Sequence, residues 1–206
     1  MRMVSKDFTP SCAALIIVDV QNDFCPGGAL PVTDGDKVIP ILNVYIKRFR
    51  EEGAPVFATR DWHPNDHNSF KENGGIWPPH CVQGTSGAEF HQGLDLSGDV
   101  EIVSKGAGPK DEAYSGFQGT NLTAELKKRE IKTLYIGGLA TDYCVKHTVL
   151  DALKEGFSVF FLEDGSRGVD VNPGDSKKAI DDMISAGAKR IVFSNLSKKI
   201  LEGKSI

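Results

Sequence analysis

Long apolar runs are missing from this sequence. The run nearest the start, Ala13–Val18, is about six residues long and ends at Asp19, far short of the roughly 20 residues that span a bilayer. Arg2 and Lys6 precede it, but the run is also too short for the core of a signal peptide. Cysteine is scarce. Cys12, Cys25, Cys81 and Cys144 show no paired spacing, which argues against a disulfide framework and reads as reduced thiols in a cytoplasmic protein. An excess of positive charge is lacking as well. The formal net charge of −4 gives no electrostatic case for nucleic acid or an anionic membrane as partner. The basic clusters Lys127-Lys128-Arg129 and Lys198-Lys199 read as solvated surface.

What is present suits a soluble enzyme-sized domain. The 206 residues, 40% hydrophobic and 25% charged, predict one globular domain over residues 1–206. Short apolar runs at Ala13–Val18, Pro55–Thr59, Val100–Ser104, Thr133–Ile136, Phe157–Leu162 and Lys189–Phe193 predict six strands. Helical spacing of apolar residues predicts helices over Asp36–Glu52, Leu122–Glu130, Thr141–Glu155 and Pro173–Ala186. This alternation argues for an α/β fold, a six-stranded, mainly parallel sheet with helices on both faces. Between Asp61 and about Gly98 no period is sustained. That stretch holds both tryptophans and four of the five histidines, so it reads as a functional loop rather than a linker.

Chemistry-bearing residues fall at the ends of the predicted strands. Asp19, Asp61 and Lys105 follow or close apolar runs. Cys144 lies in the first turn of the helix after Gly137-Gly138-Leu139-Ala140, with Thr141 or Asp142 as the expected N-cap. Ligands of open α/β sheets bind beyond the carboxyl ends of the strands, so these groups are expected to share one rim. The helix start is expected to lower the Cys144 thiol pKa. A thiol, a desolvated carboxylate and an ammonium supply a nucleophile, a base and a counter-charge, which suits acyl transfer from an amide. Asp61-Trp62-His63 places a carboxylate and an imidazole on one side of an extended segment. With His80 they make a facial set suited to zinc, iron or manganese, and His67 is a further candidate. His91 and His147 read as surface residues.

Several motifs together carry a resemblance. They are Val18-Asp19-Val20-Gln21-Asn22-Asp23-Phe24, Gly27-Gly28-Ala29-Leu30, Thr59-Arg60-Asp61-Trp62-His63-Pro64, Trp77-Pro78-Pro79-His80-Cys81-Val82-Gln83-Gly84-Thr85, Ser104-Lys105-Gly106, Tyr114-Ser115-Gly116-Phe117 and Gly138-Leu139-Ala140-Thr141-Asp142-Tyr143-Cys144-Val145. In order and spacing the chain resembles the isochorismatase-like cysteine hydrolases, and among them the nicotinamidases and pyrazinamidases.

The resemblance implies a catalytic triad of Asp19, Lys105 and Cys144 and one divalent metal held by Asp61, His63, His80 and water. Some members add a ligand from the following loop, for which this chain offers His67 or Ser69. The resemblance further implies a cis peptide at Leu139–Ala140, with the N–H groups of Ala140 and Cys144 forming an oxyanion hole. Nicotinamide, as substrate, would sit between Phe24 and Trp77, with Leu30, Tyr114 and Tyr143 nearby. It would be hydrolysed through a Cys144 thioester to nicotinate, in NAD salvage. Members occur as monomers and as larger assemblies, so a homo-oligomer is compatible. The other reading within the superfamily is a cysteine amidase acting on a carbamoyl or ureido substrate. Such enzymes resemble the triad but lack the metal set, so Asp61, His63 and His80 favour the nicotinamidase reading.

Overall fold

In the computed structural model, which describes residues 10–111 and 114–196, six strands form one sheet. They are Ala13–Val18 (β1), Val56–Asp61 (β2), Val100–Lys105 (β3), Thr133–Leu139 (β4), Ser158–Arg167 (β5) and Lys189–Ile191 (β6). The order is β3-β2-β1-β4-β5-β6, and every pairing is parallel. Four helices connect them: Val38–Glu51 (α1), Leu122–Lys128 (α2), Lys146–Lys154 (α3) and Asp175–Ser185 (α4). The termini with Arg2, Lys6 and Lys198-Lys199 lie outside the described residues.

The strand order explains where the helices go. From β1 the chain steps outward to β2 and β3, then returns to β4 and steps outward the other way. Right-handed crossovers put the first helix on one face and the later ones on the other. Along β1, Ala13, Leu15 and Ile17 pack with Val38, Leu42, Ile46 and Phe49 of α1. Ala14, Ile16 and Val18 pack in the opposite layer with Leu122, Leu126, Val149 and Met183 from the other three helices. Side chains of a strand alternate between faces, so a run covered on both sides must be apolar throughout, as β1 is. No side-chain cap bond holds the start of α1. Burial of its apolar stripe, at about 2 kcal/mol per large side chain, holds it instead.

Several element boundaries differ from the expectation. β4 continues past Ile136 through Gly137 and Gly138 to Leu139, and β5 continues past Leu162 to Arg167. β6 stops at Ile191 rather than Phe193. The Gly-Gly pair signals a turn in the sequence, but here it lets two strands approach closely. Gly138 has φ +133°, and a Cβ there would lie 2.1 Å from the Val18 carbonyl oxygen. The long loop after β2 is tied down by isolated bridges, His63 with Val82, Phe70 with Trp77 and Gln21 with Phe90. No helix among the described residues is long and apolar enough to cross a membrane.

The crowding at Gly138 sets a test of this packing. Gly138→Ala should lower unfolding stability by about 2 kcal/mol or more, because the added methyl must displace strand backbone. Urea denaturation against the parent protein measures this.

Candidate active site

The reversal of strand order falls between β1 and β4, and the site is built at their carboxyl ends. Asp19 follows β1 in a left-handed conformation, φ 51°, which an Asp tolerates better than most residues. Its N–H still bonds the Thr59 carbonyl at 3.1 Å, while its own carbonyl accepts from the Gln21 N–H at 2.8 Å. The backbone thus turns sharply and leaves the carboxylate fully buried. Thr59 Oγ1 donates to Asp19 Oδ1 at 2.6 Å, and Lys105 Nζ pairs with Oδ2 at 2.8 Å.

Asp61 and Lys105 are register partners at the last rung of β2 and β3, so the ladder itself brings their side chains together. Lys105 Nζ also donates to Asp61 Oδ1 and lies 3.5 Å from Cys144 Sγ. The ammonium therefore meets two carboxylates and the thiol at once. Burial works against its charge, but Asp19, Asp61 and Cys144 outweigh that and raise its pKa well above the usual lysine range. Asp61 shows the converse. Burial pushes it up, yet Lys105 and the imidazoles of His63 and His80 hold it well below the usual carboxylate range. Asp19 is raised, because burial exceeds what Lys105 and Thr59 recover.

Cys144 corrects one expectation. Its thiol is raised well above the ordinary cysteine value, by burial first and by Asp19 and Asp61 in addition, with Lys105 only partly opposing. Position at a helix start does not decide the matter where two carboxylates converge on the sulfur. A carboxylate oxygen of Asp19 lies within 4.8 Å of the Cys144 sulfur. The turn is also not the expected capped α-helix. Thr141–Val145 is one π-helical turn entered from Ala140, with no side-chain cap. Asp142 instead accepts from the backbone N–H groups of Val169 and Asp170, at 2.9 and 2.8 Å, and so ties this turn to the segment after β5. The Leu139–Ala140 peptide is cis. The Ala140 carbonyl accepts from the Tyr143 and Val145 N–H groups, both at 3.1 Å.

Beside this trio, donor atoms of Asp61, His63 and His80 lie within 4.8 Å of one another. His63 Nδ1 donates to the Gly106 carbonyl at 2.9 Å and His80 Nδ1 to the Pro78 carbonyl at 2.8 Å. Each ring is thereby oriented with Nε2 available as a ligand. Gly106 is obligatory here: a Cβ would lie 2.5 Å from the His63 ring. Burial lowers the His80 pKa and favours the neutral imidazole that a metal requires. A carboxylate and two oriented imidazoles fit a divalent ion. His67 stacks on His63 at 4.0 Å but bonds Ser69 Oγ at 2.7 Å and the Asp111 carbonyl at 3.3 Å. As placed, its nitrogens are engaged by protein.

One cavity joins the two sets. Phe24, Leu30, Trp77, Tyr114 and Tyr143 line it together with Ala140, Cys144, Asp61, His63 and His80. Every residue expected to bind substrate, metal or oxyanion or to act in the triad is on this wall except Lys105, which contacts Asp61 and Cys144 from behind it, and Asp19, which pairs with Lys105. Trp77 Nε1 donates to Tyr114 OH at 3.0 Å, joining two loops across the cavity. His67, Ser69 and Val169 also line it. Val169 was not legible in the sequence, since only the Asp142 contact brings its loop here. Asp23 spans the wall and the metal arm: its Oδ1 accepts from the Ala29 N–H at 3.1 Å and its Oδ2 from the Cys81 N–H at 2.7 Å. Gln21, fully buried, bonds both the N–H and the carbonyl of Asp61, at 2.8 and 2.7 Å.

Comparison with known proteins agrees with this arrangement. Residues 13–191 match the model of the isochorismatase domain. The nicotinamidase of Escherichia coli (strain K12) is 42% identical over 196 residues, covering 85% of this chain and 92% of that protein. The structure of a pyrazinamidase of Pyrococcus horikoshii in complex with zinc is 53% identical, with a TM-score of 0.85 over 88% of this chain and 99% of that one. The structure of PnC1 from L. infantum in complex with nicotinate is 34% identical, with a TM-score of 0.84 over 91% and 96% of the two chains. With the sheet order, the convergent trio and these matches in agreement, the chain belongs to the isochorismatase family.

Proposed function

We propose that this protein is a nicotinamidase, hydrolysing nicotinamide to nicotinate and ammonia through a Cys144 thioester, and that it also accepts pyrazinamide. The observation that carries the reading is one aromatic-walled cavity with a thiol backed by Asp19 and Lys105 and, beside it, the donor set Asp61, His63 and His80. Its relatives named nicotinamidase and pyrazinamidase, the latter in complex with zinc, and the PnC1 structure in complex with nicotinate support it. We read the ion as zinc. When bound, it supplies a Lewis-acidic site for the pyridine nitrogen and for water.

The chain's own residues do the rest. The pyridine ring lies between Phe24 and Trp77, flanked by Leu30, Tyr114 and Tyr143, with its carboxamide over Cys144. The thiol stays protonated at rest, so deprotonation is coupled to attack. Asp19 takes the S–H proton as sulfur bonds to the carboxamide carbon, and its burial-raised pKa makes it a stronger base than an exposed carboxylate. The N–H groups of Ala140 and Cys144 hold the developing oxyanion, and Lys105 balances the charge passing between Asp19 and the sulfur. Asp19 returns its proton to the departing ammonia and leaves a thioester. It then takes a proton from water, which adds to the acyl carbon, and gives it back to sulfur as nicotinate leaves. Residues 1–206 are read as one hydrolase domain, cytoplasmic and acting in NAD salvage. The span matched to the family model supports the first part.

Two outcomes check this. Cys144→Ala should reduce ammonia release from nicotinamide by about a thousandfold or more, while circular dichroism stays that of the parent; turnover within a few-fold of the parent removes the thioester. His80→Ala should weaken zinc binding by at least about tenfold, read by equilibrium dialysis with metal analysis. Undiminished zinc would displace His80 from the ligand set.

A further inference from the structure

The donor atoms of Asp19, Asp61 and Cys144 form a second group in which all lie within 4.8 Å of one another. It shares Asp61 with the first group but adds a sulfur, the softest and strongest zinc ligand in the cavity. Two carboxylates and a thiolate make a credible site for a thiophilic divalent ion. In this protein the space among them is taken. Lys105 Nζ lies 2.8 Å from Asp19 Oδ2, donates to Asp61 Oδ1 and is 3.5 Å from Cys144 Sγ. The ammonium thus pairs with one carboxylate and donates to the other and to the sulfur, and so stands where a cation shared by the three residues would stand. The Lys105 side chain is fully buried, so water does little to screen its charge from an approaching cation.

We propose that Lys105 is a resident cation that closes a latent second metal site, and so keeps the nucleophilic sulfur from being captured by a metal ion. The inference rests on assigning Asp61, His63 and His80 to a metal, and adds to it. A nucleophile within 4.8 Å of a carboxylate that ligates zinc is exposed to an inhibitory fate: loss of the thiol proton to solvent and formation of a metal–thiolate bond. Such a bond would occupy the electron pair that attacks the amide. A fixed ammonium prevents this by excluding the ion's volume and by repelling its charge. A neutral hydrogen-bond donor at the same point would meet the acceptors but not repel the ion. On this view Lys105 is a lysine because its charge has to stay where it is.

The test titrates purified protein with Cd2+, counting bound ions by equilibrium dialysis and recording the ultraviolet thiolate-to-cadmium charge-transfer band. The parent protein should bind one tight equivalent and show no band that Cys144→Ser removes. Lys105→Met, similar in size but uncharged, should take up a second equivalent at least roughly 100-fold more tightly than the parent. It should show the band, and Lys105→Met with Cys144→Ser should lose it. Lys105→Arg, which keeps the charge, should stay with the parent. Removing the ammonium leaves two buried carboxylates uncompensated, so Cd2+ should also raise the Tm of Lys105→Met by more than that of the parent. A parent protein that already shows a Cys144-dependent band overturns the proposal whether or not the variant folds. A folded Lys105→Met that binds no second equivalent also overturns it. If the parent binds no tight equivalent at all, the inference falls together with the metal assignment beneath it. Nicotinamide hydrolysis is not among the readouts, so these outcomes do not depend on the substrate.

Discussion

The buried ammonium of Lys105 is the interaction on which the rest of the site depends. Taking one such ion out of water costs several kcal/mol, and here two carboxylates and a thiol accompany it. Such an assembly survives only if every charge has a partner in fixed geometry, which explains the backbone arrangements around it. Asp19 adopts a left-handed conformation to turn inward, Thr59 takes the carboxylate oxygen that Lys105 leaves, and the β2–β3 register delivers Asp61. Because Asp61 belongs to both groups, the Cys144 thiol and the cluster of Asp61, His63 and His80 form a single electrostatic unit. A change in charge at either is felt by the other across one carboxylate.

The fold supplies the place for that unit. With strand order β3-β2-β1-β4-β5-β6 the loops after β1 and β4 diverge to opposite faces, opening a crevice at the point where the order reverses. β1 gives Asp19, β2 and β3 give Asp61 and Lys105, and the turn after β4 gives Cys144. Four consecutive positions of the sheet thus each contribute one buried ionisable group. The β2–β3 connection carries no α-helix, only two short 3-10 turns at Lys71–Asn73 and Ser86–Ala88, and folds over the crevice, bringing His63, Trp77 and His80.

Much of this was legible in the sequence, and the part that was not has a physical reason. Charged residues closing apolar runs betray a strand end, so Asp19, Asp61 and Lys105 stand out, and alternation in Asp61-Trp62-His63 already puts its carboxylate and imidazole on one side. The extra length of β4 and β5 was hidden because Gly137-Gly138 and Glu163-Asp164-Gly165 carry turn composition, while close strand approach decides their state. The thiol pKa was misjudged because local position argues for lowering it. The groups that raise it, Asp19 and Asp61, come from distant points of the chain. Asp142 reads locally as a cap, yet its partners at Val169 and Asp170 lie 27 and 28 residues away. Side chains bonded to remote backbone, Gln21 with Asp61 among them, leave no periodic trace.

Asp23 has a mechanical consequence. Its carboxylate holds the turn before Leu30 with one oxygen and the amide beside His80 with the other. Gly87 packs so tightly against it that a Cβ would lie 2.2 Å from Oδ2. The turn before Leu30 and the segment around His80, which line the same cavity, are thereby tied together through one carboxylate. A displacement of the segment around His80 is therefore passed through that carboxylate to the turn before Leu30, so the two sides of the cavity are coupled like the jaws of a clamp.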